Sequence, residues 1–158
     1  MTQQTITRRK ALVAAGALGA TAALTGVRSV QASSGAGGHA VTGTWVLTVT
    51  SAVNPTGPST SIVAFAAGGS LITTDNQGSG NVSLGAWEAD GAGFKAVFEQ
   101  FSFDPATGSF VGTAIIRPTG TVEGNRIHGT YTVDFKPASG PLQKGVDHGS
   151  FTGPRLEP

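Results

Sequence analysis

The stretch Ile116-Arg117-Pro118-Thr119-Gly120-Thr121-Val122-Glu123-Gly124-Asn125-Arg126-Ile127-His128-Gly129-Thr130-Tyr131-Thr132-Val133 decides the fold. Two runs rich in β-branched residues flank Gly124-Asn125, a pair suited to a two-residue turn that needs left-handed backbone. With that turn Glu123 faces Arg126. The register then sets Val122 against Ile127, Pro118 against Tyr131, Ile116 against Val133 and Ala114 against Phe135. One face collects the apolar side chains. The other receives Thr119 with Thr130 and Arg117 with Thr132, so the hairpin has a buried side and a wet side.

The phrase Gly129-Thr130-Tyr131 occurs again as Gly43-Thr44-Trp45 and Gly149-Ser150-Phe151, and in weakened form as Gly112-Thr113-Ala114. From Val41 onward no helical stripe appears. Turn chemistry at Asn54-Pro55-Thr56-Gly57-Pro58, Gly68-Gly69, Asp75-Asn76-Gln77-Gly78, Asp90-Gly91, Asp104 to Gly108, Gly124-Asn125 and Pro137 to Gly145 cuts the chain into eight strands. They are expected at 42–51, 59–67, 70–75, 81–89, 93–103, 109–122, 126–136 and 146–153. Short connections make consecutive strands antiparallel neighbours, because a parallel pair needs a long crossover. A meander of eight can hide both edges only by closing. The predicted fold is all-β: a single eight-stranded antiparallel up-and-down β-barrel following a cleaved export signal.

Two further hairpins extend the register. Lys136 opposite Val146 sets Tyr131 against Phe151 and Asp134 against His148. Asp90-Gly91 as a turn sets Trp87 against Phe94 and sends Phe94, Ala96 and Phe98 inward, but leaves Phe101 and Phe103 on the other parity. A β-bulge at Glu99-Gln100 would bring all four phenylalanines inside, and is the expectation.

The N-terminal part has another character. Thr7-Arg8-Arg9-Lys10 is followed by the charge-free run Ala11 to Val27 and by Val30-Gln31-Ala32, a small-residue cleavage site, which predicts an export signal over 1–32. The paired arginines and Leu12 resemble a twin-arginine signal, with Ala11 where a Phe is usual. The resemblance implies export in the folded state, to the cell envelope or the medium. Residues 33–40, Ser-Ser-Gly-Ala-Gly-Gly-His-Ala, read as a flexible leader, and 41–158 as the barrel domain. Cleavage removes four of the ten basic residues and none of the nine acidic ones, so six against nine gives a net charge of −3 instead of +1. No basic cluster remains for nucleic acid or an anionic membrane, and no membrane insertion is expected once the signal is gone. The chain has no cysteine, so neither disulfides nor a lipid-modified thiol anchors it. A monomer or homodimer is expected.

The chemistry-bearing residues are sparse. His39 falls in the leader, while His128 and His148 begin adjacent antiparallel strands and so stand at opposite barrel ends. Neither a metal site nor a cofactor is expected. Asp134 with His148 is the best acid–base pair of the register, but their face looks outward, so the preferred reading is an exposed cross-strand pair. Glu99, carried inside by the bulge among aromatic rings, would be a desolvated carboxylate suited to proton transfer; facing outward it would be a solvated charge. Gly78-Ser79-Gly80 lacks the frame of a nucleophile elbow. Trp45, Trp87, Phe94, Phe98 and Tyr131 take inward parity, and with Glu99 they form the candidate ligand-binding set. Gly85, Gly112, Gly129 and Gly149 also point inward and leave room. A barrel of this size either fills its interior or holds one small ligand.

Gly43-Thr44-Trp45 and the later Gly-Thr-aromatic openings resemble the calycin superfamily of lipocalin-like and avidin-like barrels. The run from Gly85-Ala86-Trp87 through a Phe-rich strand to Phe103-Asp104, ending in Gly149-Ser150-Phe151-Thr152-Gly153, is similar to small exported actinobacterial barrels, a likeness that implies no particular activity. The inward Ser, Asn and Trp set of biotin-binding avidins has no counterpart here. The barrel and the Gly-Thr-Tyr phrase also resemble allene oxide cyclase and dirigent barrels, which implies cofactor-free guidance of a reactive intermediate. Three functions follow as expectations. The first is a barrel holding one small, largely apolar molecule. The second is a cyclase or isomerase using Glu99 or Tyr131, and the third a filled barrel that acts through its outer surface.

Overall fold

A computed structural model describes residues 39–53, 57–77, 81–90 and 93–158. The expected export signal and leader residues 33–38 lie outside the described residues. Eight strands follow one another: β1 (Gly43–Ser51), β2 (Ser59–Phe65), β3 (Ser70–Asp75), β4 (Val82–Asp90), β5 (Gly93–Phe103), β6 (Phe110–Glu123), β7 (Arg126–Pro137) and β8 (Gln143–Pro154). Each pairs antiparallel with the next. β1 pairs with β8 from Thr48↔Thr152 to Ser51↔Gly149 and closes the barrel. Closure leaves no unpaired edge.

The β6–β7 hairpin has the expected register at every pair, from Glu123↔Arg126 to Gly112↔Pro137, and Gly124 takes φ +59° in its turn. Elsewhere the faces agree with expectation while the partners move. Trp87 stands opposite Ala96, not Phe94, because Asp90 pairs with Gly93 and the connection is one residue later than expected. Tyr131 faces Gly149, not Phe151, and His148 faces Thr132, so the expected Asp134–His148 pair does not form. The cause is an irregularity in β8: Val133 pairs with Asp147 and Phe135 with Gln143, which packs two extra residues opposite Asp134. Gly145 takes φ +62° there and donates its N–H to Asp134 Oδ1 at 2.9 Å. A slip of two residues conserves the side-chain face.

The bulge expected at Glu99-Gln100 is absent. β5 and β6 keep one register from Lys95↔Thr119 to Ser102↔Gly112 and shift only between Ser102 and Phe103. Gln100 therefore stays inward, where its Nε2 donates to Asp75 Oδ2 at 2.9 Å, and Glu99 lies exposed outside. Phe101 and Phe103 remain on the outer face, where each meets Phe110 edge-on at 5.9 Å. Expecting every phenylalanine inside fails because β5 keeps its alternation, which gives the inward place between Phe98 and Ser102 to Gln100.

The recurrent Gly-Thr-aromatic phrase has a packing cause. A Cβ on Gly149 would lie 2.7 Å from the Tyr131 hydroxyl, and one on Gly129 would lie 2.5 Å from Cζ of Phe151. Gly120 meets Phe151 and Phe94 in the same way. Each glycine leaves room, and a ring from a neighbouring strand fills it.

Odd strands begin at one end of the barrel and even strands end there. That end holds the core, in which Trp45 and Ile127 are 0% exposed and Leu71 1%. Phe65, Phe94, Phe151 and Trp87 complete it.

Candidate ligand-binding site

The core end is sealed. Trp45 donates its indole N–H to the Val41 carbonyl at 2.8 Å, and the Arg155 guanidinium stacks 4.2 Å from its ring centre. Arg155 also donates to the carbonyls of Thr42 and, at 2.6 Å, Ala40. Trp87 donates to the Ala66 carbonyl at 2.9 Å and takes the His39 ring edge-on at 5.6 Å. A buried indole needs a partner for its N–H, and both find a backbone carbonyl in the chain that crosses this end. The two tryptophans are stoppers, not cavity walls.

Above them lies a cavity of about 70 Å³. Phe65, Leu71, Phe94 and Phe151 stand on its sealed side, while Phe98, Ile116, Pro118 and Tyr131 rise toward the other end. Ser61 and Thr73 are, with Tyr131, its polar contacts. Toward that other end Phe98, Ile116, Tyr131, Val133 and Phe135 point inward yet keep part of their surface in solvent. The barrel is thus a cup, closed by the core and open opposite it.

The inner rim of the cup is polar. Asp75 on β3 accepts from Gln100 on β5 across the intervening β4. Asp147 on β8 accepts from Ser51 Oγ of β1 at 2.8 and 2.9 Å. The Tyr131 hydroxyl points at the Thr50 carbonyl, 3.5 Å away. Burial pushes the Tyr131 phenol above its ordinary value of 10, the Asp147 charge pushes the same way, and a hydrogen bond with Ser51 opposes them. The phenol is a stable donor at neutral pH. On the outer face the Gly145 N–H holds the Asp134 carboxyl below its usual range, desolvation opposes this, and Arg117, 2.7 Å away, adds to it.

Of the residues expected to bind ligand, Phe94, Phe98 and Tyr131 meet at the cavity. Trp45 and Trp87 belong to the seal. Glu99 is on the outside, because without the bulge its parity is that of Lys95 and Val97. His128 bonds Thr121 Oγ1 at 3.0 Å, and His148 is exposed. Among the described residues no three acidic or histidine side chains gather as a metal would require. Sequence reasoning missed Ser51, Asp75, Gln100 and Asp147. Their signal is in the sequence: all four share the inward parity of their strands near the same barrel end, which the rule that an interior is apolar discards.

The closed, eight-stranded antiparallel barrel is compatible with a calycin-like fold. Comparison with protein-family models, curated proteins and solved structures gives no match.

Proposed function

We propose that the protein is a binding cup that receives the apolar end of one small molecule through its open mouth. The observation that carries this reading is the ring of inward but half-exposed side chains, Phe98, Ile116 and Tyr131, around a cavity whose far end is sealed. A filled barrel would bury them. The volume sets the scale: pockets for drug-sized ligands run to about 300–1,000 Å³, and a cavity that takes benzene to about 150 Å³. A cavity of 70 Å³ then buries roughly three heavy atoms, by proportion to the benzene case. The rest of the molecule stands at the rim, where the Tyr131 hydroxyl donates. With Asp147 beside it, Asp75 elsewhere on the rim and a barrel domain of net negative charge, a neutral or cationic head group fits better than an anionic one.

Binding is favoured over a cyclase or isomerase by two placements. Glu99 is outside the cup, and a phenol raised above its ordinary value is less able to act as a base at neutral pH. Read as an export signal, the N-terminal sequence supports a function outside the cytoplasm, where the cup would capture or carry its ligand.

Tyr131 is the chain's one tyrosine, so its ultraviolet phenolate titration reports the mouth directly. Both tryptophans sit in the seal, so their fluorescence does not. A neutral ligand that enters desolvates the phenol and raises its titration point further, whereas an ammonium beside it lowers it; Ile116→Trp, which fills the cavity, abolishes either response. The reading fails if small-ring and short-chain alcohols and amines leave the titration unmoved and native mass spectrometry of the exported protein shows no copurified molecule.

A further inference from the structure

We infer that the outer face of β2–β6 is a self-association surface and that two copies of the barrel pack through it. The outside of the barrel is divided. On β7, β8 and β1 the exposed outward residues are mostly polar or charged, among them Thr48, Arg126, Thr130, Thr132, Lys136 and Ser150, with Val146 (38% exposed) as the apolar exception. On the opposite side the outward positions carry Ile72 (51% exposed), Val82 (64%), Leu84 (65%), Phe101 (60%), Phe103 (42%) and Phe110 (47%). Pairing makes them one surface: Ile72 lies across from Leu84 and Phe103 across from Phe110, while the Phe110 ring also touches Phe101. Asn81, next to Val82, bonds the Phe101 carbonyl.

Size argues for a partner of protein dimensions. At these exposures the six side chains present on the order of 600 Å², the upper end for the largest patch on a typical monomer. A standard interface takes roughly 800 Å² from each partner, and Ile62, Val97 and Val111, also exposed, adjoin the six. The charges are arranged as an interface requires. Among the described residues Glu99 is the one ionisable side chain that lies between the six, whereas ion pairs Glu88–Lys95 (3.1 Å) and Arg117–Asp134 (2.7 Å) stand toward the sealed end of these strands. An apolar centre with a charged rim is the anatomy of a homodimer interface.

Once an export signal over 1–32 is removed, what precedes the barrel offers no cover. Residues 33–38, Ser-Ser-Gly-Ala-Gly-Gly, have no large apolar side chain. An apolar band around the whole circumference would suit a lipid bilayer, but here the outward positions of β7, β8 and β1 are mostly Thr, Ser, His, Lys and Arg. A second copy brings the same face, so a two-fold axis buries both at once. The mouth at the end of the barrel stays open.

Sedimentation velocity of the purified exported chain tests this. Twice the monomer mass is expected at tens of micromolar. Leu84→Lys with Phe101→Lys is expected to weaken association by about 100-fold or more, as for two central residues of an interface, while the melting temperature of the barrel and the Tyr131 titration hold. If the lysine pair does not fold, Leu84→Ser with Phe101→Ser gives the same reading, and Thr132→Lys on the opposite face leaves the dimer intact. A wild-type chain that remains monomeric overturns the proposal, as does one that is monomeric but floats with phosphatidylcholine–phosphatidylglycerol vesicles, or a double variant that stays dimeric.

Discussion

Arg155 follows the last strand, yet it makes three contacts that hold the sealed end together, and removing it should be costly. Its guanidinium donates to the carbonyls of Thr42 and Ala40 and stacks on Trp45. Hydrogen bonds to charged groups contribute about 1.5–3 kcal/mol each when well buried. Arg155 is half-buried, so roughly 1 kcal/mol apiece is the fitting figure after solvent screening. The stacking adds about 0.5–1 kcal/mol. Arg155→Ala is therefore expected to lose about 2–3 kcal/mol in urea unfolding, or roughly 8–12 °C in melting temperature for a domain of this length. Arg155→Lys keeps the charge and one hydrogen bond but not the fork, and should recover about half. The tryptophan emission of Arg155→Ala should shift to the red, because the Trp45 ring loses its cover. If Arg155→Ala melts within about 2 °C of wild type, or if the lysine variant matches wild type, the guanidinium is not what seals this end, and packing of Val41 on Trp45 suffices.

Three more outcomes follow from the cup and its walls. Phe98→Ala should cost about 2–3 kcal/mol, less than a fully buried phenylalanine, and enlarge the cavity toward the size that accepts benzene; added benzene should then raise the melting temperature of the variant but not of wild type. Gly149→Ala places a methyl 2.0 Å from the Thr50 carbonyl and against Tyr131, so it should destabilise by more than about 2 kcal/mol, while Gly108→Ala, open to solvent at φ +69°, should lose only about 1 kcal/mol in the same unfolding assay. Tyr131 should titrate above 10, and Asp147→Asn should bring it part of the way back, since burial is the larger cause. The fold prefers the protonated phenol, so that contribution to stability is complete below pH 10 and is lost as pH rises through the raised value; a phenolate titrating at or below the ordinary value refutes it.

Most of the fold was legible because strand faces follow a period of two. The registers of β4–β5 and β7–β8 both moved by two residues, yet Trp87, Phe94, Tyr131 and Phe151 kept their inward faces. What could not be read was partner identity where a connection is irregular: nothing in Lys144-Gly145-Val146 announces that two extra residues crowd opposite Asp134. The site was half legible. Phe94, Phe98 and Tyr131 were found as inward aromatics, but the rule that apolar means inside sent Glu99 inward with Phe101 and Phe103. On β5 at the mouth the rule fails, for Gln100 and Asp75 satisfy each other inside while Phe101 and Phe103 stand outside. An apolar outer face escapes any argument that assumes a lone barrel.

The sealed end also gathers the two ends of the described chain. Arg155 bonds residues 40 and 42, and Leu156 donates to the Thr44 carbonyl, so entry and exit lie side by side, with the mouth at the far pole. Whatever is fused or tethered at either terminus thus leaves the cup facing away from its support. The same adjacency makes the chain a candidate for circular permutation: a short linker from Pro158 to His39, with new termini in the exposed turn at residues 105–108, should reproduce the barrel with its ends relocated to the rim.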